Sequence, residues 1–360
     1  MKKIIMGMGI VLAPLWAGTS LEQKIGQMLM VGFHGTSAEK NSQICQDIRK
    51  YHIGAVILFD YNPVDKSKPK NIASKKQLKK LTSQLQKCSY DGKLLIAVDQ
   101  EGGRVQRLKS KYGFYGKFPK AADVARMDRK QIKKTYRKMA KELKSAGINY
   151  DLAPVVDLDI NPKNHVIHGL GRSFGKDPKT VAAYADTFID AMHHYGVLTS
   201  LKHFPGHGSS IGDTHKGFVD VTNLWKPVEL EPYKLLNRKA DTVMVAHVFN
   251  KKLDARYPAS LSNKIVNGLL RKKLGFKGVV ITDDLQMGAI SKKYGLKNTL
   301  KLAINAGDDM LIFGNQLDPR HTVSTKKLVE TVKSLVKKGE VNEKSIEYAY
   351  RRIQRLKKKL

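Results

Sequence analysis

Short apolar runs alternate with amphipathic stretches of helical period along most of the chain. Eight of the runs are rich in β-branched or other apolar residues, as is typical of buried strands. The stretches between them suit helices of about 10–18 residues, an alternation that favours parallel β-α-β units. Eight repeats fit a closed sheet better than an open, doubly wound one. The sequence therefore predicts an α/β fold, a single (β/α)8 barrel of the TIM type. The eight runs are Met28–Phe33, Gly54–Phe59, Leu94–Asp99, Asn149–Ala153, Val197–His203, Thr242–His247, Gly278–Asp283 and Asp309–Gly314.

Several helical stretches carry signals for their own boundaries. Ser20 and Gln23 form the pattern of a capping box, which predicts a helix that begins directly after Ser20. Gly147 follows an apolar stripe of helical spacing and is typical of a C-terminal cap. The stripe before Gly147 consists of Ile132, Tyr136, Met139 and Leu143, and a final basic helix has the apolar positions Ile346, Tyr350, Ile353 and Leu356.

The composition supplies enough apolar residues for a complete globular core. Of the 360 residues, 41% are hydrophobic and 2 are cysteine, which excludes a disordered chain and a disulfide-rich scaffold. No Pro/Ser-rich linker divides the sequence, so we predict one domain over residues 18–360. The longest irregular stretches follow predicted strand ends, where barrels build their active sites. These stretches are Gln100–Pro119, Val155–Asp177 and Phe204–Pro227.

The N-terminus has the pattern of an export signal. Lys2 and Lys3 precede an uncharged apolar stretch, Ile4–Ala17, which is too short to span a bilayer. We predict a signal peptide over residues 1–17 and a periplasmic or otherwise exported protein. The alternative is a cytoplasmic protein whose N-terminal segment is buried in the fold.

Cys45 and Cys88 lie far apart, in helical and partly apolar stretches. Neither belongs to a CxxC or Cys/His pattern, so neither is predicted to be a metal ligand or a nucleophile. One disulfide is compatible with the sequence but is not indicated by it.

The chain carries 65 Lys and Arg against 32 Asp and Glu, a formal net charge of +33. Such a charge suits a polyanion, but the lysines are spread over nearly every helix, without the interleaved aromatic residues that stack on bases. No nucleic-acid partner is therefore expected. Most of the lysines are interpreted as solvated helix faces, and an anionic cell-wall surface is the alternative partner that the charge would fit.

The third strand-like run ends in a carboxylate. Asp99 terminates the apolar run, and Arg104 and Arg107 follow within the same loop. A carboxylate at this position can accept two hydroxyl hydrogen bonds, and an arginine can donate a fork of them. The alternative is an Asp–Arg pair that only braces the loop.

The fifth run ends in a dense group of polar residues. Lys202, His203 and His207 are followed shortly by Asp213 and His215. The proline and glycine between the first two histidines break the helix that would place them together on one face, which argues against a metal site. Asp213 lies two residues before His215, a spacing at which a carboxylate can orient an imidazole and set its protonation. A hydrogen bond that merely stabilises the loop is the alternative.

The seventh run ends in two adjacent acids, Asp283 and Asp284. Side chains alternate along a strand, so we expect only one of the two to point into the barrel mouth. An acid held there among basic residues would stay ionised and could act as a nucleophile or a charge stabiliser. Asp284 is predicted to cap the following helix instead.

Taken together, four segments resemble the family 3 glycoside hydrolases, and most closely the single-domain bacterial β-N-acetylglucosaminidases of peptidoglycan recycling. The resemblance covers about residues 20–356, with the motifs in family order, and it implies a barrel fold. The segments are VDQEGGRVQR (98–107), GRSF (171–174), KHFPGHG (202–208) with DTH (213–215), and ITDDLQM (281–287).

The resemblance implies a role for each matching residue. Asp283 would be the nucleophile and His215 the general acid/base, oriented by Asp213. The residues that would bind the hydroxyl and N-acetyl groups of the sugar are Asp99, Arg107, Arg172, Lys202 and His203. Neither a metal nor another cofactor is implied. The implied substrates are muropeptides that contain N-acetylglucosamine, and a monomer is expected.

The implied reaction retains the anomeric configuration through a glycosyl-enzyme on Asp283. A phosphorylase or another family 3 β-glycosidase remains an alternative on the same barrel. A metal-dependent hydrolase with His203, His207 and Asp283 as ligands is a second alternative. A non-catalytic, polyanion-binding protein is a third.

Overall fold

The computed structural model describes residues 18–318 and 321–360, so the predicted signal peptide lies outside the described residues. Eight parallel strands form one sheet in the order β7-β6-β5-β4-β3-β2-β1-β8. A bridge between Ile281 and Met310 joins β7 to β8 and closes the ring. The predicted (β/α)8 barrel is thus confirmed. The strands are β1 (Leu29–Val31), β2 (Ala55–Ile57), β3 (Leu95–Val98), β4 (Tyr150–Asp151), β5 (Leu198–Phe204), β6 (Thr242–Val245), β7 (Val279–Thr282) and β8 (Leu311–Phe313).

All eight strands fall within or next to the predicted runs, but most are shorter than predicted. Their residues are buried throughout because helices cover the outside of the barrel and side chains fill its inside. The runs extend beyond the hydrogen-bonded strands at their C-terminal ends. Asp99 and Asp283 therefore each follow the last residue of a strand and stand at the same end of the barrel.

Helices surround the barrel and cover its outer face. In chain order they are α1 (Leu21–Gln27), α2 (Gln43–Tyr51), α3 (Lys75–Cys88), α4 (Ala121–Val124), α5 (Arg129–Ser145), α6 (Pro178–His194), α7 (Glu231–Leu236), a π-helical segment (Lys264–Lys273), α8 (Gly288–Ala306), α9 (Thr325–Lys337) and α10 (Glu343–Lys357). Among the described residues, no helix combines the length and the apolar character that crossing a membrane requires.

The predicted helix signals are present in the structure. Ser20 and Gln23 form a complete capping box at α1. The stripe that ends before Gly147 is the buried face of α5, and Gly147 follows the helix with a φ of +79°. The predicted apolar positions of the last helix are all buried on α10.

Cys45 and Cys88 form a disulfide that joins α2 to the end of α3, with their Cα atoms 5.3 Å apart. The sequence did not indicate this bond, because the two residues are separated by 43 positions and share no motif. They meet because α2 and α3 pack side by side on the barrel, where both sulfur-bearing side chains are buried.

Removing the disulfide is expected to destabilise the protein without changing its fold. Loop closure over this separation limits the stabilisation to about 4 kcal/mol, and about 2–4 kcal/mol is expected in practice. The Cys45→Ala/Cys88→Ala variant should therefore show a lower free energy of unfolding in urea than the oxidised wild type. Reductant should lower the wild-type value toward that of the variant and leave the variant unchanged. An effect of reductant on the variant would contradict this account.

Candidate active site

A cavity of about 590 Å³ opens at the C-terminal ends of the strands. It is lined by residues from loops far apart in the sequence, because parallel strands bring their C-terminal ends to one face of the barrel. All eight residues that the sequence analysis singled out line this cavity. They are Asp99, Arg107, Arg172, Lys202, His203, Asp213, His215 and Asp283.

Five charged side chains that line the cavity form a continuous chain of ion pairs. Asp99 accepts hydrogen bonds from Arg107 (3.1 Å) and from Lys202 Nζ (3.0 Å). Lys202 also pairs with Glu101 at 2.7 Å, and Glu101 binds Arg172 through both of its carboxylate oxygens, at 2.7 and 2.8 Å. The network thus holds three cations and two carboxylates in a fixed array. Bidentate and charge-assisted bonds of this kind are strongly directional.

The network keeps its acids ionised despite their burial. Burial opposes the charged form of Glu101, but Arg172 and Lys202 outweigh it and lower the pKa of that carboxyl to about 2. For Asp99 burial is likewise outweighed, by Lys202 and Arg107, and its pKa lies well below its usual range. Burial also opposes the charge of Lys202, yet Glu101 and Asp99 raise its pKa. Donors and acceptors therefore stay charged over the neutral pH range.

Folding stability is expected to fall in acid because of this network. A carboxyl with a lowered folded-state pKa contributes stability that is present above its unfolded pKa and is lost as the pH falls toward the folded value. For Glu101 this window runs from about pH 4.5 down to about pH 2.

The Lys202→Met variant tests this network. Removing the shared cation leaves buried charge less compensated, so the variant should lose about 3–5 kcal/mol at pH 7. Its loss of stability should also begin at a higher pH, since the carboxyl pKa values rise. Urea unfolding between pH 3 and 7 measures both effects. Lys79→Met, at an exposed lysine of α3, is the control and should change stability by less than about 0.5 kcal/mol. Equal effects of the two substitutions would contradict the role of the network.

A buried carboxylate, Asp157, organises the turn after β5. Its Oδ2 accepts a hydrogen bond from His203 Nδ1 at 2.6 Å, and its Oδ1 accepts the backbone N–H of His207 at 2.8 Å. On the other side of the ring, His203 Nε2 lies 3.3 Å from a guanidinium nitrogen of Arg172. The imidazole of His203 is therefore fixed from both sides and presents a defined edge to the cavity.

Glu229 supports the same turn from behind. Its buried carboxylate accepts the backbone N–H groups of Gly208 (3.0 Å) and Ser209 (3.3 Å). A side chain at Gly206, which has a φ of +119°, would collide with Glu229. Burial raises the pKa of Glu229 to about 7. The close packing here requires glycine at position 206.

Glu101, Asp157 and Glu229 were not predicted from the sequence as parts of the site. Glu101 stands two residues after Asp99 in the same loop, so its position was a usable signal. Asp157 follows the apolar run at the end of the fourth strand and could have been found in the same way. Glu229 lies in a short 3₁₀ turn, Pro227–Leu230, and gives no signal in the sequence.

His215 and Asp213 form a hydrogen-bonded pair on the loop after β5. Asp213 Oδ1 accepts bonds from the Nδ1 (2.8 Å) and the backbone N–H (3.0 Å) of His215. Partial burial opposes ionisation of Asp213, but these bonds outweigh it and lower the pKa of its carboxyl. The His215 side chain is 53% exposed and also lines a neighbouring cavity of about 550 Å³. With Nδ1 engaged, Nε2 is the ring nitrogen available for proton transfer.

Both acids after β7 line the cavity, so the expected alternation does not separate them. The strand ends at Thr282, and Asp283 and Asp284 lie in the turn beyond it, where strand geometry no longer applies. The prediction that Asp284 caps the following helix is wrong. The N-cap of α8 is Met287, and the Asp284 carboxylate accepts the N–H of Gln286 within the turn.

The two carboxyls differ in their ionisation. Burial opposes the charge of Asp283, but His247, His203 and His215 outweigh it and lower its pKa. Burial and the neighbouring Asp283 raise the pKa of Asp284 to about 6. Asp283 therefore stays ionised well below neutral pH, whereas Asp284 takes up a proton near pH 6.

His247, another residue that the sequence analysis missed, holds the turn in place. Its Nε2 donates to the backbone carbonyl of Asp284 at 2.9 Å, and its Nδ1 lies 2.6 Å from the Ser260 hydroxyl. A carbonyl only accepts, so the ring proton is on Nε2. The turn that carries Asp283 is therefore anchored through its backbone to a fully buried ring.

Within residues 18–318 and 321–360, no three His, Cys, Asp or Glu side chains are grouped so that they could hold a metal ion. The proposed ligands of the metal-dependent alternative are engaged otherwise. His203 Nδ1 binds Asp157, and His207 Nδ1 binds the Ser210 hydroxyl at 2.6 Å. Chelator treatment of the protein tests that alternative independently of the geometry.

Residues 20–356 match the family described as "Glycosyl hydrolase family 3 N terminal domain". The chain is 40% identical over 230 residues to the β-hexosaminidase LpqI of Mycobacterium tuberculosis, which covers 61% of this chain and 58% of that protein. It is 33% identical over 299 residues to a β-hexosaminidase of Xylella fastidiosa, covering 79% of this chain and 82% of the relative.

Two solved structures share the fold over nearly the whole chain. A family 3 β-N-acetylglucosaminidase from Paenibacillus sp. superposes with a TM-score of 0.81 at 31% identity, covering 94% of this chain and 62% of the other. A β-N-acetylhexosaminidase from Beutenbergia cavernae superposes with a TM-score of 0.81 at 30% identity, covering 94% and 98% of the two chains.

Proposed function

Since the chain belongs to glycosyl hydrolase family 3, we propose that it is a retaining β-N-acetylglucosaminidase that removes terminal N-acetylglucosamine from peptidoglycan fragments. The observation that carries the proposal is one cavity lined by an ionised carboxylate, Asp283, an Asp213–His215 pair and a fixed array of hydroxyl-binding groups. The relatives that are named for their activity are β-hexosaminidases or β-N-acetylglucosaminidases.

In the proposed mechanism Asp283 is the nucleophile. Its carboxylate attacks the anomeric carbon, the glycosidic bond breaks, and a glycosyl ester forms on the enzyme. The lowered pKa of Asp283 supports this role, because an ionised carboxylate is required for attack. Its backbone N–H donates to Val245 O at 3.0 Å, which fixes the start of the turn.

His215 is the proposed acid and base. Its imidazolium donates a proton to the departing glycosidic oxygen, and the neutral ring then takes a proton from the water that hydrolyses the ester. Asp213 stabilises the imidazolium and holds the ring by its Nδ1. His215 lines both the main cavity and the neighbouring one, which suits a residue placed between the bound sugar and its leaving group.

The charged network and His203 are proposed to bind the sugar. Asp99 can accept hydroxyl protons, while Arg107, Arg172 and Lys202 donate to hydroxyl or carbonyl oxygens. Their mutual ion pairs fix these groups before substrate arrives, which reduces the entropy lost on binding.

We also propose that the protein acts outside the cytoplasm. The disulfide between Cys45 and Cys88 supports this proposal, since disulfides persist mainly in oxidising compartments. An exported enzyme would meet cell-wall fragments directly. We expect the wild-type protein to be recovered from the periplasm or the medium, with the cysteines oxidised and residues 1–17 removed. A cytoplasmic protein of full length would contradict this proposal.

The function is tested with matched chromogenic substrates. An aryl β-N-acetylglucosaminide should be hydrolysed at least ~100-fold faster than the corresponding β-glucoside, as a site that binds the N-acetyl group would reject its absence. Muropeptides with N-acetylglucosamine at the non-reducing end should release that sugar. An equal rate on the glucoside would contradict the proposed specificity.

Comparing turnover in two buffers distinguishes a hydrolase from a phosphorylase. A hydrolase should turn over equally well in phosphate and in a non-coordinating buffer. Formation of a sugar 1-phosphate in phosphate buffer would show that phosphate replaces water.

A further inference from the structure

A second polar cavity lies at the opposite end of the barrel. Its volume is about 590 Å³, and it borders the segments that lead into β6 and β7 and one face of α10. Asp241 directly precedes β6, and Gly278 directly precedes β7, so the cavity opens at the N-terminal ends of the strands. We call it the basal pocket. Its lining residues are Asn237, Arg238, Ala240, Asp241, Gly275, Lys277, Gly278, Val279, Arg352, Arg355, Leu356 and Lys359.

The basal pocket is strongly cationic. Five of its lining side chains are Lys or Arg, against the single carboxylate of Asp241. Arg352, Arg355 and Lys359 are spaced by three and four residues along the C-terminal end of the chain, the spacing that places helical side chains on one face. Arg238 and Lys277 approach from the loops before β6 and β7.

The carboxylates near the pocket are already paired with cations. Asp241 is fully buried and accepts bonds from Lys359 Nζ (2.7 Å) and from His193 Nε2 (2.6 Å). Arg352 pairs with Asp309 at 2.9 Å, and Asp309 also binds Arg271. These acids hold two of the five cations in place and leave no acid to balance the others.

The remaining three cations have no counter-charge in the described part of the chain. Arg238, Lys277 and Arg355 are exposed and form no hydrogen bond or ion pair with any residue of that part. Like charges that share a concave site repel one another, and the low-dielectric wall of a cavity strengthens the field. A bound anion would relieve this repulsion.

A hydrogen bond fixes the relative positions of the two loops that carry Arg238 and Lys277. Asn237 donates to the backbone carbonyl of Leu274 at 2.7 Å and so ties the loop of Arg238 to that of Lys277. The two loops are therefore held at a fixed separation beside α10. The pocket is a preformed concavity and not a chance cluster of mobile lysines.

We propose that the basal pocket binds phosphate groups of a linear anionic polymer. Phosphate fits because guanidinium groups bind it in bidentate fashion, and three uncompensated cations match more than one negative charge. A polymer fits better than a flat lipid surface, because the cations converge on a concavity. This site would hold the enzyme on a phosphate-bearing polymer while the catalytic mouth, at the other end of the barrel, stays open.

The proposal does not depend on the reaction that the enzyme catalyses. Its test compares the wild type with the variant Arg238→Gln/Lys277→Gln/Arg355→Gln. The control, Arg129→Gln/Lys133→Gln/Arg137→Gln, removes the same number and kind of charges from exposed positions of α5. Both variants have the same net charge, so a difference between them reports the pocket and not the overall field.

Binding is measured with long-chain inorganic polyphosphate as the probe, and with vesicles of phosphatidylglycerol in phosphatidylcholine as the lipid arm. The pocket variant should bind polyphosphate at least ~10-fold more weakly than the wild type at low salt, and the control less than ~3-fold. The salt dependence of binding should become shallower only in the pocket variant. The circular dichroism spectra and unfolding midpoints of the three proteins should coincide.

Three results would overturn the proposal. The first is a wild type that fails to bind polyphosphate. The second is an equal loss of affinity in both variants, which would assign binding to the general surface charge. Binding that occurs only to the vesicles and is lost in the pocket variant would replace the polymer with a lipid headgroup.

Discussion

The Asp283→Asn variant is expected to lose at least ~10⁴-fold in kcat on an aryl β-N-acetylglucosaminide while it keeps the wild-type fold. An amide cannot form the glycosyl ester that the proposed mechanism requires. The amide oxygen can still accept the N–H of Asp284, which Asp283 Oδ1 accepts at 2.8 Å, so the turn after β7 should persist. Steady-state kinetics and circular dichroism measure the two effects.

Asp284→Asn is the matched control for this prediction. Asp284 is the next residue in the chain and lines the same cavity, but its carboxylate accepts the N–H of Gln286 and so braces the turn. Its asparagine variant should lose far less activity than the Asp283 variant. Equal losses would mean that the nucleophile has been assigned to the wrong acid of the pair.

The fate of the anomeric centre gives a second readout. In the smaller Asp283→Ala variant, azide can occupy the space of the missing carboxylate and attack directly. One displacement inverts the configuration, so an α-glycosyl azide is expected. Recovery of turnover without this product would point away from Asp283 as the attacking group.

The barrel and much of the cavity wall could be predicted from the sequence because strand ends are local features. Asp99, Lys202 and Asp283 each lie within or directly after an apolar run, and the topology of a parallel barrel then brings them to one face. Burial of the runs also follows from their composition. Neither inference needs a distance between residues that are far apart in the chain.

Contacts between distant loops could not be predicted in this way. Glu229 reaches the backbone of Gly208 and Ser209 across 20 or so residues of irregular chain, and nothing in its own segment marks it. The Cys45–Cys88 bond depends on how two helices pack on the barrel. The placement of Asp284 failed for a different reason: the rule of alternating side chains was applied to Asp283 and Asp284, one and two residues past the end of β7.

The cluster of cations in the basal pocket could not be predicted from the sequence either. The composition gives a net charge of +33 and a spread of lysines over many helices, which the sequence analysis interpreted as solvated faces. Only the fold brings Arg238, Lys277 and Arg355 together from three separate segments. The net charge and the local cluster are separate properties, and the two charge-matched variants separate their effects on binding.

The His215→Ala variant is expected to lose most activity on substrates whose leaving group must be protonated as it departs. Substrates with poor leaving groups, such as a natural disaccharide, should lose ~10²–10⁴-fold, the usual contribution of general acid–base catalysis. An aryl glycoside with an acidic phenol departs unaided, so its first step should survive. The enzyme should then stall as a glycosyl ester on Asp283, since no base activates water.

Azide should restore turnover of the stalled variant and give a β-glycosyl azide. Azide needs no base, and attack on the enzyme-bound sugar is the second inversion of a double displacement, so the configuration is retained. This product is the opposite anomer of the one expected from Asp283→Ala. The pair of products therefore assigns the two roles within one assay.

Asp213→Ala should show a weaker form of the same behaviour. The imidazole remains but loses the acceptor of its Nδ1–H, so its imidazolium is less stabilised and its ring less well oriented. If His215→Ala slowed all leaving groups equally and azide had no effect, His215 would be a binding residue. The proton would then come from another group, and Asp284, whose pKa burial raises to about 6, is the carboxyl to test next, since the ion pairs of Glu101 keep it ionised.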